Sequence, residues 1–109
     1  GELTLGENIA DNSGLEIAYK AYRRSLAGKP APVIDGMSGD ERFFYGFAQV
    51  YRSKVRESLL LTWIKSDPHS PDEFRVTGVA RNHPAFYSTF GVRPGDGMYL
   101  PPEQRVTIW

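Results

Sequence analysis

Cysteine is absent from the 109 residues, so neither disulfide staples nor thiolate metal sites are available. That absence neither requires nor forbids an oxidising compartment. No charge sign predominates: thirteen Lys and Arg match thirteen Asp and Glu, leaving no global field to attract nucleic acid or an anionic membrane. No nucleic-acid partner is expected. Long hydrophobic runs are also missing. The longest apolar stretch, Leu59 to Ile64, contains Thr62 and is far too short to cross a bilayer. The opening Gly-Glu-Leu-Thr-Leu lacks a basic-then-apolar signal pattern, so any targeting segment is expected upstream. A Gly-x-Ser-x-Gly elbow, a phosphate loop and a dinucleotide fingerprint are absent, and with only two histidines a serine hydrolase is disfavoured. No internal repeat points to a solenoid.

What is present fits one domain, large enough to bury a core. Six Phe, six Tyr and two Trp supply the largest burial energies of any side chains, and predict an aromatic-rich interior or a face meant for another protein segment. From Asn8 to Leu26 the apolar residues Ile9, Ala10, Leu15, Ala18, Tyr19, Tyr22 and Leu26 fall near a 3.6-residue period, which predicts one helix of about five turns. Gly14 costs such a helix about 1 kcal/mol relative to Ala and suggests close packing at that turn. Gly28 to Gly36, with two prolines, reads as an irregular connection.

Ser38 with Glu41 three residues on has the spacing of a capping box, opening a second helix with an aromatic face to about Val55. Arg56 to Lys65 reads as a third helix, a kinked continuation of the second, or a buried strand. Asp67 to Asp72 is a loop by its two prolines. Phe74 to Ala80, with Val76, Thr77 and Val79, is predicted to be briefly extended, and Asn82 to cap a short helix from Pro84 through Phe90. Terminal Trp109 is large enough to pin a chain end into a groove. The fold class is therefore mainly α, with irregular loops and at most a short strand.

Two clusters carry the chemistry. Glu7 and Asp11 lie four residues apart, on one face of a helix. Acidic residues also favour a first turn simply because they complement its dipole, by about 0.3–1 kcal/mol. The functional alternative is a carboxylate for a metal and a second that fixes the tautomer of a ligating histidine. His69 lies between two prolines, where a histidine is commonly just solvated, but Asp67 two residues before it and Arg75 six after allow an oriented imidazole and a guanidinium to converge. Such donors stabilise an oxyanion and hold a peptide carbonyl. Arg75 bracing the loop against a carboxylate is the commoner use. His83, next to Pro84, is assigned to a helix start without chemistry.

With these residues on the page a family resemblance emerges. Leu5-Gly-Glu-Asn-Ile-Ala-Asp11 resembles the Glu-x-x-x-Asp zinc segment of the neprilysin-like M13 metallopeptidases, the family of the bacterial oligopeptidase O group. Phe43-Phe44 through Gln49, Ser66-Asp-Pro-His-Ser-Pro71, Phe74-Arg-Val76 and the closing Ile108-Trp109 resemble the same family in the same order. The resemblance implies that residues 1–109 are a single segment, the C-terminal part of a zincin-type catalytic domain hydrolysing peptide bonds in oligopeptides. It implies Glu7 as the third zinc ligand and Asp11 as the acid that hydrogen-bonds a zinc-binding histidine. His69 is similar to the histidine that stabilises the tetrahedral intermediate, Asp67 to its orienting partner, and Arg75 to the arginine that grips a substrate carbonyl.

Two departures qualify it. Vertebrate members end in Cys-x-x-Trp whereas this chain ends Val106-Thr-Ile-Trp109, which favours a bacterial source; periplasmic, cell-surface, secreted and cytoplasmic locations all stay open. The family's His-Glu-x-x-His helix, with two zinc ligands and the general base, is not in these 109 residues. The chain alone is therefore expected neither to hold Zn2+ tightly nor to cleave peptides. Its expected partners are the upstream half of the domain and a peptide substrate, and its uncovered faces favour self-association. A stand-alone helical interaction module, in which the acidic pair only caps a helix, is the alternative.

Overall fold

The computed structural model describes residues 1–108; Trp109, and with it the pinning role expected of that side chain, lies outside the described residues. Five helices follow one another: α1 (Leu5–Ser25), α2 (Gly39–Val50), α3 (Glu57–Ser66), α4 (Asp72–Ala80) and α5 (Pro84–Phe90), before a 3-10 turn at Pro102–Gln104. Among the described residues the only β-type pairing is an isolated bridge between Ile34 and Met37, in the connection from α1 to α2. The chain is mainly α, as its periodicity predicts.

Ser38 opens α2 by accepting the Glu41 N–H at Oγ (3.1 Å) while its own N–H donates to Glu41 Oε2 (2.7 Å). This is the reciprocal cap foreseen from the spacing. Gly39 follows because nothing larger fits: a Cβ there would collide with the Tyr22 hydroxyl and the Ala31 side chain. α2 then delivers Phe44 to the centre, buried with Leu15 of α1 and Val79 of α4. Tyr19, Phe43, Phe86 and Phe90 surround them with ring centroids 5.1–6.0 Å apart, mostly in edge and tilted contacts, such as Tyr19–Phe43 at 5.3 Å and Phe86–Phe90 at 5.1 Å. The aromatic interior is therefore real but small. Ile9, Ile17, Val50, Leu59, Leu61, Ile64 and Phe74 are exposed, and α3 contributes no buried residue.

Several elements differ from expectation. α1 starts at Leu5, so Glu7 already lies inside its first turn. α2 ends at Val50, short of Val55, and α3 is a separate helix rather than a continuation or a strand. Phe74 to Ala80 is not extended but belongs to α4. The acids Asp72 and Glu73 favour its first turn, and Val76, Val79 and Ala80 form an i, i+3, i+4 stripe that outweighs the β-branched propensity. Gly14 is not a close-packing site, since a Cβ there would meet nothing within 4 Å.

Nor does Asn82 cap α5. Its amide donates to Gly78 O and its carbonyl accepts from Val106 N–H, tying the tail to α4. The cap is His83, whose Nδ1 accepts the Ala85 N–H at 3.2 Å. The ring proton is thus on Nε2, 2.9 Å from Glu16 Oε2. Burial pushes the His83 pKa below its ordinary 6.5; Glu16 opposes this and Lys20 reinforces it. The unfolded chain takes up this proton first on acidification, so the stability His83 contributes is complete above pH 6.5 and is lost as pH falls below it. Melting at pH 7.5 and 5.0 should show a larger acid-induced loss for the native chain than for His83→Asn, which keeps a capping oxygen without titrating. Equal losses would contradict the assignment.

Candidate active site

Glu7 and Asp11 occupy successive turns of α1 on one face, and each meets a partner from the far end of the sequence. The loop between α3 and α4 is shaped by Asp67, an Asx-type turn in which its Oδ1 accepts both the backbone N–H of His69 (2.8 Å) and Nδ1 of its ring (2.7 Å). Both hydrogen bonds hold the Asp67 carboxyl below its ordinary range. The imidazole is therefore fixed at Nδ1 and presents Nε2 outward, 3.3 Å from Glu7 Oε2. A ring set between two carboxylates donates to both only as imidazolium. His69 and Glu7 are both well exposed, at 44% and 42% of the side chain, so this edge of the site is open to a ligand.

One turn along, Asp11 and Arg75 form a fork. Arg75 Nε donates to Oδ2 at 2.7 Å and Nη2 to Oδ1 at 2.8 Å, with the two side chains only 18% and 10% exposed. The hydrogen bond to Asp11 raises the Arg75 pKa against the effect of burial and keeps the guanidinium charged. Its plane lies over Tyr51, 4.8 Å from the ring centroid, and burial raises the Tyr51 hydroxyl with Asp11 adding to it. Of the two uses open to Arg75, bracing against a carboxylate is the one adopted, and the carboxylate is Asp11. That leaves Asp11 with spare lone pairs, since an ionised carboxylate has about four acceptor positions.

The helical form of α4 is what aims Arg75 at α1, so the element misjudged from sequence is also the one that assembles the site. Two further contacts gave no local sequence signal. Ser70 Oγ donates to Asn8 Oδ1 at 2.8 Å across 62 positions, and Tyr51 underlies Arg75. His83 lies elsewhere, beside Glu16 and committed through Nδ1 to its cap.

Zinc fits only one corner of this arrangement. Glu7 offers an accessible anionic oxygen, but among the described residues no group of three or more His, Asp or Glu side chains could hold a metal ion, and a catalytic zinc takes about three protein ligands. The described residues could therefore supply at most one corner of a zinc site, not a shell.

Residues 1–106 match the model of peptidase family M13. Drosophila melanogaster neprilysin-3 is 37% identical over the whole chain, human neprilysin 38% over 97% of it, and human endothelin-converting enzyme 1 39% over all of it. The chain spans 14% of the length of each of these relatives. Among solved structures, Mycobacterium tuberculosis zinc metalloprotease Zmp1 in its open state superposes on the whole chain with a TM-score of 0.97 at 51% identity, over 17% of its own length. The same protein in complex with an inhibitor gives 0.96 at 51% identity, covering 98% of this chain and 16% of that one. A family-wide match along nearly every residue, with the acidic pair of α1 facing the 67–75 region, leads to one conclusion: this chain belongs to peptidase family M13.

Proposed function

We propose that these residues are the C-terminal part of a zinc metalloendopeptidase catalytic domain that hydrolyses peptide bonds in oligopeptides. The observation that carries this is the paired convergence on α1: Glu7 against the Asp67-oriented His69, and one turn on, Asp11 against Arg75. Zinc, with its other ligands supplied by the upstream part of the domain, brings Lewis acidity to the scissile carbonyl and acidity to the attacking water. Glu7 is the carboxylate ligand. With that carboxylate committed to metal, His69 Nε2 is the donor left free for the substrate oxygen that gains negative charge, while Asp67 keeps the ring from turning away.

Asp11 holds Arg75 and has lone pairs remaining for the N–H of a zinc-binding histidine. Arg75 spends Nε and one Nη2 hydrogen on Asp11, which leaves three N–H donors for a substrate backbone carbonyl. The exposed apolar faces of α1 and α3 are read as surfaces that the upstream half covers. Alone, the chain lacks the donors to retain zinc and is inactive.

Arg75→Lys in the full-length enzyme tests the substrate-gripping role, because it keeps the charge and loses the planar fork. We expect kcat/KM for an oligopeptide to fall by about tenfold, equivalent to about 1.4 kcal/mol, with zinc content unchanged. Unaltered cleavage would overturn that role.

A further inference from the structure

We propose that Asn8 and Ser70 form a latch that sets the position of His69 relative to α1, making both of them positioning residues for peptide hydrolysis; this rests on the reading of His69 given above. Asn8 follows Glu7 and Ser70 follows His69. The bond between them is therefore a second rung beside the Glu7–His69 contact. The amide of Asn8 is itself set: Nδ2 donates to Thr4 Oγ1 at 3.3 Å, which turns Oδ1 toward the Ser70 hydroxyl.

The need for such a latch follows from how the loop is attached. Upstream, α3 has no buried residue to anchor residues 67–71 to the core. Downstream, α4 is fixed to α1 and the core through Arg75 and Val79, at least four residues beyond the loop's end; its first residue, Asp72, accepts a hydrogen bond from Ser53 of the α2–α3 connection, which does not hold the loop on α1. Asp67 orients the imidazole within the loop and does nothing to hold the loop on α1. Among the described residues two polar side-chain contacts make that connection, His69 to Glu7 and Ser70 to Asn8. A metal on Glu7 Oε2 competes directly with the first contact, which uses that same oxygen, so in the working enzyme the second carries the larger share of the registration. Displacing a reacting donor by about 1 Å costs on the order of 100-fold in rate.

In the full-length enzyme we expect Ser70→Ala and Asn8→Leu each to lower kcat by about 10- to 100-fold, with KM and zinc content nearly unchanged. Because both remove the same bond, the double variant should be no slower than the slower single. Ser70→Thr, which keeps the hydroxyl, should recover kcat to within about threefold of the native enzyme. A readout independent of turnover is hydrogen exchange of the zinc-loaded full-length protein, where Glu7 is engaged with metal and the segment 67–71 should exchange about tenfold faster in Ser70→Ala while α2 and α5 keep their protection.

Native kcat in both single variants, or native exchange in 67–71, would overturn the latch. So would equal losses in Ser70→Ala and Ser70→Thr with a lowered melting temperature, which mark a purely structural role. His69→Ala run alongside separates the two levels. A fall there without one in Ser70→Ala refutes the latch alone, whereas native kcat in His69→Ala refutes the reading of His69 and the latch with it.

Discussion

Full-length enzyme carrying His69→Ala is expected to lose about 100- to 1,000-fold in kcat, about 2.7–4 kcal/mol of transition-state stabilisation, while zinc content and KM stay close to native. The size follows from what His69 can do rather than from what it supports. It is well exposed and holds no core, so its removal leaves the fold intact. Its Nδ1 is already taken by Asp67 at 2.7 Å, which leaves Nε2 as a fixed donor aimed at the face carrying Glu7. A donor of this kind matters only as charge develops on the substrate oxygen, so its loss is read in kcat and not in binding. An unchanged kcat would remove His69 from the reaction.

The second large effect is on the metal. Glu7→Ala in the same enzyme is expected to lower zinc affinity by more than the 10- to 100-fold typical of losing a group that only orients a ligand, because a direct donor is lost. The competing explanation, that Glu7 merely complements the dipole of α1, assigns it about 0.3–1 kcal/mol of stability and nothing else. The two part cleanly in equilibrium dialysis followed by metal analysis. A small drop in melting temperature with native zinc affinity would leave Glu7 as a helix-terminus acid. The Glu7 side chain is 42% exposed and holds no core, so its truncation spares the fold, and Glu7→Gln provides a near-isosteric control.

Much of this was legible before any coordinates, and the reasons are local. A capping box declares itself by spacing, as at Ser38 and Glu41, and the loop that carries His69 by its two prolines, with Asp67 two residues before the ring it orients. The long period of α1 and the Pro84 start of α5 are similarly short-range signals. α4 was obscured because Val76, Thr77 and Val79 carry β propensity, and only the burial of Val79 against Leu15 of α1 and Phe44 of α2, with Ala80 beside it, gives the helical stripe its weight. His83 displaced Asn82 as a cap because Val106, 24 positions on, claims the asparagine.

The site divides along the same line. Its residues were visible as types, but the Asp11–Arg75 fork joins positions 64 apart and the Asn8–Ser70 bond positions 62 apart. No window on the sequence contains both members of either pair. Gly14 shows the converse: its cost to a helix is visible locally, while the open space beside it is a property of the fold.

Zinc location is the most direct test of the whole site. A crystal structure of the zinc-loaded full-length enzyme, with anomalous data collected at the zinc edge, should place the metal peak about 2.0–2.2 Å from a Glu7 carboxylate oxygen. Asp11 should remain paired with Arg75, and His69 should line the same cleft. A zinc peak with a complete ligand set that excludes Glu7, or a His69 ring turned onto a different surface from the metal, would contradict it.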